Sequence, residues 1–211
     1  MRNEPDLPRE HVRAWLLILV GASSTAGLTP LPVQLFHRMV FLSNSLAQLY
    51  ETQPPAELVL KQDRGPYYPQ AEFELERLAI QGLVNMTDMR WTEGAERQME
   101  ASFSLSSAGL SCVRRLVAKS SWCASVHSFL IDLAAAVAHV DEGYEVSTAD
   151  RDLTYSQPGI QDRAVISFRS WGERLSQRAT EEIASLSPPG CEPSRQHQLR
   201  LYLKYLERLA A

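Results

Sequence analysis

Residues that could bind a metal are present in this sequence, but their spacing keeps them apart. None of the five histidines follows HExxH or HxH, the spacings that present two imidazoles of one element to a single ion. The three cysteines form neither an even set nor a CxxC pair, so they indicate neither a disulfide framework nor a zinc site, and they favour the reducing cytosol. We expect core or surface histidines and no metal. The residues are His11, His37, His127, His139, His197, Cys112, Cys123 and Cys191.

Motifs for nucleophilic catalysis and for phosphate binding are absent as well. A serine nucleophile of the hydrolase type needs a GxSxG turn between a strand and a helix, whereas Ala22-Ser23-Ser24 lacks the glycines. Neither GxGxxG nor GxxxxGK[ST], the loops that hold phosphates, occurs. The acidic clusters are typical of solvated surface, where nothing raises a carboxyl pKa. They consist of Glu72, Glu74, Glu76 and of Asp141, Glu142. The sequence therefore predicts that the protein is not an enzyme and has no cofactor.

The composition is that of an ordinary globular protein. With 211 residues the chain can form one compact unit or two closely packed lobes. Its net charge of -4 gives no overall positive field, so any DNA contact must be indirect or made through a local basic patch.

The most apolar run, residues 14–22, is shorter than the roughly 20 residues of a membrane helix. The charges before it balance, unlike those of a signal peptide. We expect a cytoplasmic protein without membrane contact.

Hydrophobic periodicity predicts three helices, a hairpin and a fourth helix over residues 1–118. The first three helices lie at 11–23, 29–50 and 69–81, and the fourth begins after Ser106 or Ser107. Thr29 is expected to cap the second helix, with Pro30 in its first turn, and Gly82 is expected to end the third. Strands 83–91 and 99–105 form the hairpin, 57–62 is a short strand or extended connection, and 63–66 is a turn. This order is that of a winged helix with the hairpin as its wing. We therefore predict a mainly α fold with a small β hairpin (α+β), a winged helix-turn-helix with a helical C-terminal extension.

Residues 119–211 are predicted to form this helical C-terminal lobe. Residues 122–140 are apolar almost all round, as in a central helix, and further helices lie near 170–186 and 194–210. Between them, about 141–168 is an irregular polar loop, and loops of this length are usually functional or mobile. Tyr155 in this loop is therefore a candidate protein contact.

The helix at 69–81 corresponds to the one that enters the major groove in DNA-binding winged helices. Its outer side carries Phe73, Glu76, Arg77 and Ile80, opposite a core stripe of Ala71, Leu75, Leu78, Ala79 and Gly82. Residues 63–105 contain eight acidic residues and only four arginines. Because acidic and apolar side chains do not suit a polyanion, we expect this surface to bind protein. The alternative is that Phe73 and Ile80 pack beneath the C-terminal lobe of the same chain.

Two other surfaces could make contacts. Trp91 and Met89 on the hairpin form a second candidate patch, although cross-strand packing explains them equally well. In the last helix, Arg200, Lys204 and Arg208 form a basic strip beside an apolar stripe made of Leu199, Tyr202, Leu206 and Leu209. A basic strip is by default a solvated face, and alternatively a local contact for phosphate or for an acidic partner.

Two stretches carry a family resemblance. The first, over about residues 29–116, resembles small bacterial winged-helix proteins related to the Panacea antitoxin and YwgA-like families. It consists of Gly65-Pro66-Tyr67-Tyr68-Pro69, then Leu75, Leu78 and Gly82-Leu83-Val84. The second is similar to the C-terminal part of the middle components of ABC-three-component systems, as in Lamassu-type anti-phage defence. It consists of Asp152-Leu153-Thr154-Tyr155-Ser156, then Ile160 and Val165-Ile166-Ser167-Phe168.

The second resemblance implies a non-catalytic subunit encoded beside an SMC/Rad50-like ATPase and an effector. Such a subunit would bind the ATPase near its head or coiled coil and restrain the effector until foreign DNA is sensed. Two alternatives stay open. A winged-helix transcriptional regulator would bind its own promoter, and an antitoxin-like protein would neutralise a toxic neighbour.

Overall fold

The structure, a computed structural model, describes residues 9–53, 55, 58–62, 65–91, 99–140, 151–152, 155–156, 163–167, 178–180, 182 and 193–210. The helices are α1 (Arg9–Thr25), α2 (Val33–Leu46) with the 3-10 helix Ala47–Tyr50, α3 (Pro69–Ile80), α4 (Ser107–Lys119), α5 (Ser121–Val137) and α6 (Arg195–Ala210). The strands are β1 (Leu31–Pro32), β2 (Leu58–Gln62), β3 (Gly65–Tyr67), β4 (Val84–Trp91), β5 (Met99–Leu105) and β6 (Val165–Ser167).

The fold is mainly α with small antiparallel sheets, as predicted. In the first sheet β5 lies between β1 and β4, and in the second β2 lies between β3 and β6. The order α1, β1, α2, α3, β4, β5 contains the predicted helices and hairpin, with a further hairpin of β2 and β3 between α2 and α3. The winged-helix identity itself stays a prediction.

Helix α1 lies at the centre of the molecule. Its residues from Trp15 to Val20 are all buried, so the helix has no solvent-exposed face over that stretch. It packs against α3, α4, α5 and β5. Because α5 belongs to the second predicted domain, the described residues before and after residue 118 contribute to one hydrophobic core. The predicted boundary near residue 118 therefore does not separate two hydrophobic cores.

The predicted start of the second helix at Thr29 and Pro30 is wrong. Leu31 and Pro32 are extended and pair with Phe103 and Ser102 of β5, and α2 begins only at Val33. No side chain caps this helix. Thr29 and Pro30 do favour a helix start locally, but pairing with a strand seventy residues away decides the conformation.

The second sheet corrects two further predictions. Gly65 and Pro66, expected in a turn, belong to β3, and β6 lies inside the segment expected to be an irregular loop. Both strands pair with β2, which was predicted only as a short strand or an extended connection. The rest of the predicted loop lies mostly outside the described residues, as does most of the helix predicted near 170–186, of which 178–180 and 182 are helical.

Other predicted element ends are confirmed. Gly82 follows α3 with a φ of +71°, the left-handed conformation that glycine adopts without strain. The Ser106 hydroxyl accepts the backbone N–H of Gly109 at 3.0 Å and so caps α4. Among the described residues, no helix combines the length and the apolar character that crossing a bilayer requires.

Polar links fasten the second half of the chain to this core. Asp132 of α5 accepts the Tyr50 hydroxyl and the Gln196 side-chain amide, each at 2.8 Å, so α5, α6 and the 3-10 helix meet at one carboxylate. Fully buried Asp152 accepts the Tyr202 hydroxyl of α6 at 2.7 Å. Buried carboxylates need such partners because desolvation is otherwise costly. These contacts hold residues distant in sequence at fixed positions around α5.

An ion pair between α1 and α3 also corrects the sequence analysis. Glu74, expected on the solvated surface of α3, is 1% exposed, and its carboxylate accepts Nε of Arg13 at 2.5 Å. Arg77 approaches the same carboxylate at 3.5 Å. The charge of Glu74 is therefore compensated inside the protein and does not contribute to the outer face of α3.

Removing one partner of this pair should be far more harmful than removing both. Arg13→Met should lower the free energy of unfolding by about 3 kcal/mol, because Glu74 would lose its main counter-charge in a buried site. Arg13→Met combined with Glu74→Met should recover most of the loss, since the uncompensated charge is then gone. Urea unfolding of both single variants and the double variant measures the coupling.

Arg90→Met provides the matched control, because Arg90 pairs with Glu100 at 2.7 Å on the exposed surface. Its cost should stay below about 1 kcal/mol. Equal losses in Arg13→Met and Arg90→Met would contradict the importance assigned to burial.

Gly109 marks a close approach of α4 to Leu83, the residue that precedes β4. A Cβ at this position would lie 2.0 Å from the backbone oxygen of Leu83. Gly109→Ala should therefore lower the free energy of unfolding by about 2–3 kcal/mol or more, although glycine to alanine in a helix is ordinarily stabilising. Thermal unfolding against Ser107→Ala, an exposed change in the same helix, tests this. A Gly109→Ala variant as stable as wild type would show that the two backbones can move apart.

Candidate functional site

The residues predicted on the outer side of α3 are at the surface. Phe73 is 51% and Ile80 86% exposed, so neither packs beneath the part of the second half of the chain that the structure describes. The guanidinium of Arg77 lies over the Phe73 ring, 4.8 Å from its centroid. The stripe on the inner side consists of Ala71, Glu74, Leu75 and Leu78, whereas Ala79 is only half-buried and Gly82 is exposed.

Three predicted contact residues, Phe73, Glu76 and Trp91, line one cavity of about 360 Å³. We call it the α3 cleft. Helix α2 contributes Val33, Gln34, His37 and Arg38, the second sheet contributes Gln62, Gly65, Pro66 and Tyr67, and α3 also contributes Pro69 and Glu72. Arg77 and Ile80 lie outside the lining. The predicted surface is thus a cleft with an apolar rim rather than a plain helix face.

A β-bulge brings Trp91 into this cleft. Thr87 pairs with Ser102 and Arg90 with Glu100, so β4 has one residue more than β5 between these pairs, and Asp88 has a φ of +54°. Side chains of a strand alternate between faces, and the extra residue shifts the alternation by one. Trp91 therefore lies on the same face of the sheet as the buried Val84. Because it is near the end of β4, beyond the core, it is nevertheless 67% exposed.

His37 is the buried polar residue of the cleft. Its Nδ1 accepts the backbone N–H of Tyr68 at 3.3 Å, and burial, together with the charge of Arg38, lowers the pKa of His37 to about 3. The ring is therefore neutral near pH 7, and the proton lies on Nε2. Nε2 has no hydrogen-bond partner among the described residues, and the nearest carboxylate oxygen, Oε2 of Glu72, is 3.8 Å away. The cleft thus contains a buried donor without an acceptor at hydrogen-bonding distance.

Two carboxylates on successive turns of α3 give the cleft its acidic side. Glu72 accepts the Tyr67 hydroxyl, and burial followed by this hydrogen bond raises the pKa of Tyr67. Glu76 lies one turn further along the helix and is half-buried. Arg38 is buried on the α2 side, where it is itself engaged in a contact. The cleft therefore combines aromatic surface, two carboxylates, the buried Arg38 and one histidine N–H.

Tyr155 is not available to a partner, which corrects the prediction that it is a contact residue. Its side chain is 4% exposed, its hydroxyl donates to the backbone oxygen of Gln62 at 3.1 Å, and its ring packs against Phe41. The Lys61 ammonium lies 5.2 Å from the ring centroid. Tyr155 therefore fastens its segment to β2 and α2.

The basic strip of the last helix is exposed as expected. Arg200, Lys204 and Arg208 are all at the surface of α6, with Lys204 also 3.7 Å from Glu207. The apolar stripe differs by one residue, since Leu203 is buried while Leu209 is 45% exposed. A role for the strip in contacting phosphate stays a prediction.

Sequence reasoning missed the α2 side of the cleft. His37 was assigned to the core or the surface, and nothing in its spacing indicated that it would lie beside Glu72. The signal that could have found it is Gly65-Pro66-Tyr67-Tyr68-Pro69, because Tyr68 binds His37 and Tyr67 stacks edge-on against it. Within the part of the chain that the structure describes, no three His, Cys, Asp or Glu side chains are grouped to hold a metal ion.

Burial of neutral His37 should make stability depend on pH. Since its pKa is lowered in the folded state to about 3, only the unfolded chain takes up this proton below about pH 6.5, and stability falls as pH falls toward 3. The wild-type loss should exceed that of His37→Gln by up to about 1.4 kcal/mol per pH unit. Urea unfolding from pH 7 to pH 4 measures it, with His139→Gln as the exposed control. Parallel pH curves for wild type and His37→Gln would contradict the assignment.

Comparisons with known proteins do not identify this cleft. No model of a protein family matches the chain, and no curated protein matches it either. The function is therefore inferred from the residues of the chain, above all from those of the α3 cleft.

Proposed function

We propose that this protein is a non-catalytic adaptor subunit that binds other proteins through α3 and the hairpin. The observation that carries the proposal is the exposed apolar surface on these two elements. Phe73 and Ile80 on α3 and Met89 and Trp91 on β4 are each more than half exposed. Large exposed apolar side chains grouped on neighbouring elements are typical of protein interfaces, where aromatic residues contribute most of the binding energy.

The charges around this surface favour a protein over DNA. Glu72 and Glu76 lie on the side of α3 that faces the cleft, and Arg77 is held over the ring of Phe73. Burial of Glu74 makes the surface less acidic than the sequence count indicates. Even so, a helix that enters a DNA groove needs donors for phosphates and base edges. Two carboxylates and two apolar side chains do not supply them.

The partner that we propose is an SMC/Rad50-like ATPase, with an effector as the third component. In this proposal residues 1–118 are a winged helix whose groove-binding surface has become a protein contact, and the complex acts in the bacterial cytoplasm against phage. The resemblance to middle components of ABC-three-component systems supports this choice of partner, and the exposed α3 surface provides a contact for it. The basic strip of α6 is, in this proposal, the local contact for DNA.

Co-expression with the SMC/Rad50-like ATPase of a neighbouring gene tests the proposal. We expect a complex that survives gel filtration and that the double variant Phe73→Ser, Ile80→Ser weakens roughly tenfold or more. The variant should fold normally, because both side chains are exposed. Leu209→Ser on α6 is the matched control, since it removes an apolar side chain that is 45% exposed elsewhere.

Four results would contradict the proposal. Absence of such an ATPase among the neighbouring genes, or failure of the two proteins to associate, would remove the partner. Salt-sensitive binding to the protein's own promoter would favour the transcriptional regulator. Toxicity of an adjacent gene that this chain relieves would favour the antitoxin-like alternative.

A further inference from the structure

The α3 cleft contains a hydrogen-bond donor for which the described residues provide no acceptor. The imidazole of His37 is 5% exposed, and its Nε2–H has no acceptor at hydrogen-bonding distance among the described residues. A buried donor without an acceptor costs about 1–3 kcal/mol. His37 lies in the cavity wall but its Nε2 is closed to solvent, so an occupant of the cleft supplies that acceptor only when the side chains covering Nε2 shift, as side chains at interfaces commonly do on binding. The carboxylate of Glu72 lies 3.8 Å away, which favours a neutral acceptor over a second anion.

The carboxylates of α3 can accept more hydrogen bonds than the described part of the chain supplies to them. A carboxylate has about four acceptor sites, and Glu72 uses one for the Tyr67 hydroxyl. Glu76, on the same side of the helix one turn later, also faces the cleft. The two carboxylates therefore have acceptor capacity for a ligand that brings several N–H donors and a positive charge.

Aromatic side chains lie next to these carboxylates. Phe73, Trp91 and Tyr67 all line the cleft, and the β-bulge in β4 places Trp91 there. Aromatic rings attract cations and also pack against the methylene groups of long basic side chains. Phe73 already accepts such a contact from Arg77, 4.8 Å from its centroid.

We propose that the α3 cleft binds an arginine or lysine side chain of the partner polypeptide. The cationic group is held by Glu72 and Glu76, its methylene stem packs on Phe73 and Trp91, and the neutral backbone carbonyl of the partner segment accepts the Nε2–H of His37. Apolar neighbours of this basic residue contact Ile80 at the rim. This inference rests on the proposed protein-binding function and specifies the chemistry of the segment that is bound.

Short peptides provide the probe. Acetyl-Leu-Arg-Leu-amide is titrated into the full chain labelled with ¹⁵N, and the indole N–H of Trp91 is followed by NMR after assignment with Trp91→Phe. We expect a saturable shift of this signal and of the His37 Nε2 signal. The citrulline peptide, which keeps the shape and loses the charge, should bind about fivefold or more weakly, and the glutamate peptide should not bind.

Variants locate the charge effect. Glu76→Gln and Glu72→Gln should each weaken the arginine peptide by about fivefold while leaving the citrulline peptide almost unchanged. Glu51→Gln is the matched control, because Glu51 is exposed, pairs with Arg195 and does not line the cleft. Equal binding of the arginine and citrulline peptides, stronger binding of the glutamate peptide, or the absence of any shift at Trp91 would overturn the inference. Displacement of the arginine peptide by duplex DNA would overturn it as well.

The two experiments distinguish failure of the basic side-chain site from failure of the proposed adaptor function. If Phe73→Ser, Ile80→Ser disrupts the ATPase complex and Glu76→Gln does not, the adaptor function stands and the basic side chain is excluded. If the arginine peptide binds the cleft and no ATPase associates, the cleft chemistry stands and the proposed partner is excluded.

Discussion

Burial of α1 is the constraint on which the rest of the structure depends. A helix with six consecutive residues removed from water must be covered on every side, and the described elements up to Lys119 that pack against α1 are α3, α4 and β5. Helix α5 covers the remaining side. The second half of the chain is thus part of the same core, and α3 is fixed to α1 by Leu75, Leu78 and the ion pair of Glu74 with Arg13. The inner side of α3 is fully used, which leaves its other side for a ligand.

The same arrangement explains why the cleft is polar at its base and apolar at its rim. Helix α2 contributes His37 and Arg38 to the lining, Tyr67 of β3 packs edge-on against His37, and the backbone N–H of Tyr68 donates to His37 Nδ1. Desolvation keeps the imidazole of His37 neutral. Its N–H is therefore an uncharged hydrogen-bond donor that lies near the two carboxylates. At the other end, the β-bulge brings Trp91 over the opening. The cleft therefore joins a buried hydrogen-bond donor to an aromatic surface suited to a basic side chain.

Charge counted along the sequence was a less secure guide than charge placed in space. Eight acidic residues between 63 and 105 indicated a strongly acidic helix and wing. Glu74 is in fact buried against Arg13, and Glu100 pairs with Arg90 across the hairpin. What remains on the cleft side of α3 is Glu72 and Glu76, so the electrostatic argument depends on two carboxylates with a defined position.

The sequence by itself determined the elements whose formation depends on nearby residues. The 3.6-residue periodicity of α3, its closure at Gly82, the strands β4 and β5 and the Ser106 cap all follow from local patterns. Only the tertiary structure decided the features that depend on distant partners. The pairing of Leu31 with Phe103 shortened α2, the pairing of β2 with β6 ordered part of the predicted loop, and the contact with β2 and α2 buried Tyr155. The cleft belongs to this second group, because the meeting of His37, Glu72 and Trp91 requires packing and a register shift that hydrophobic periodicity does not encode.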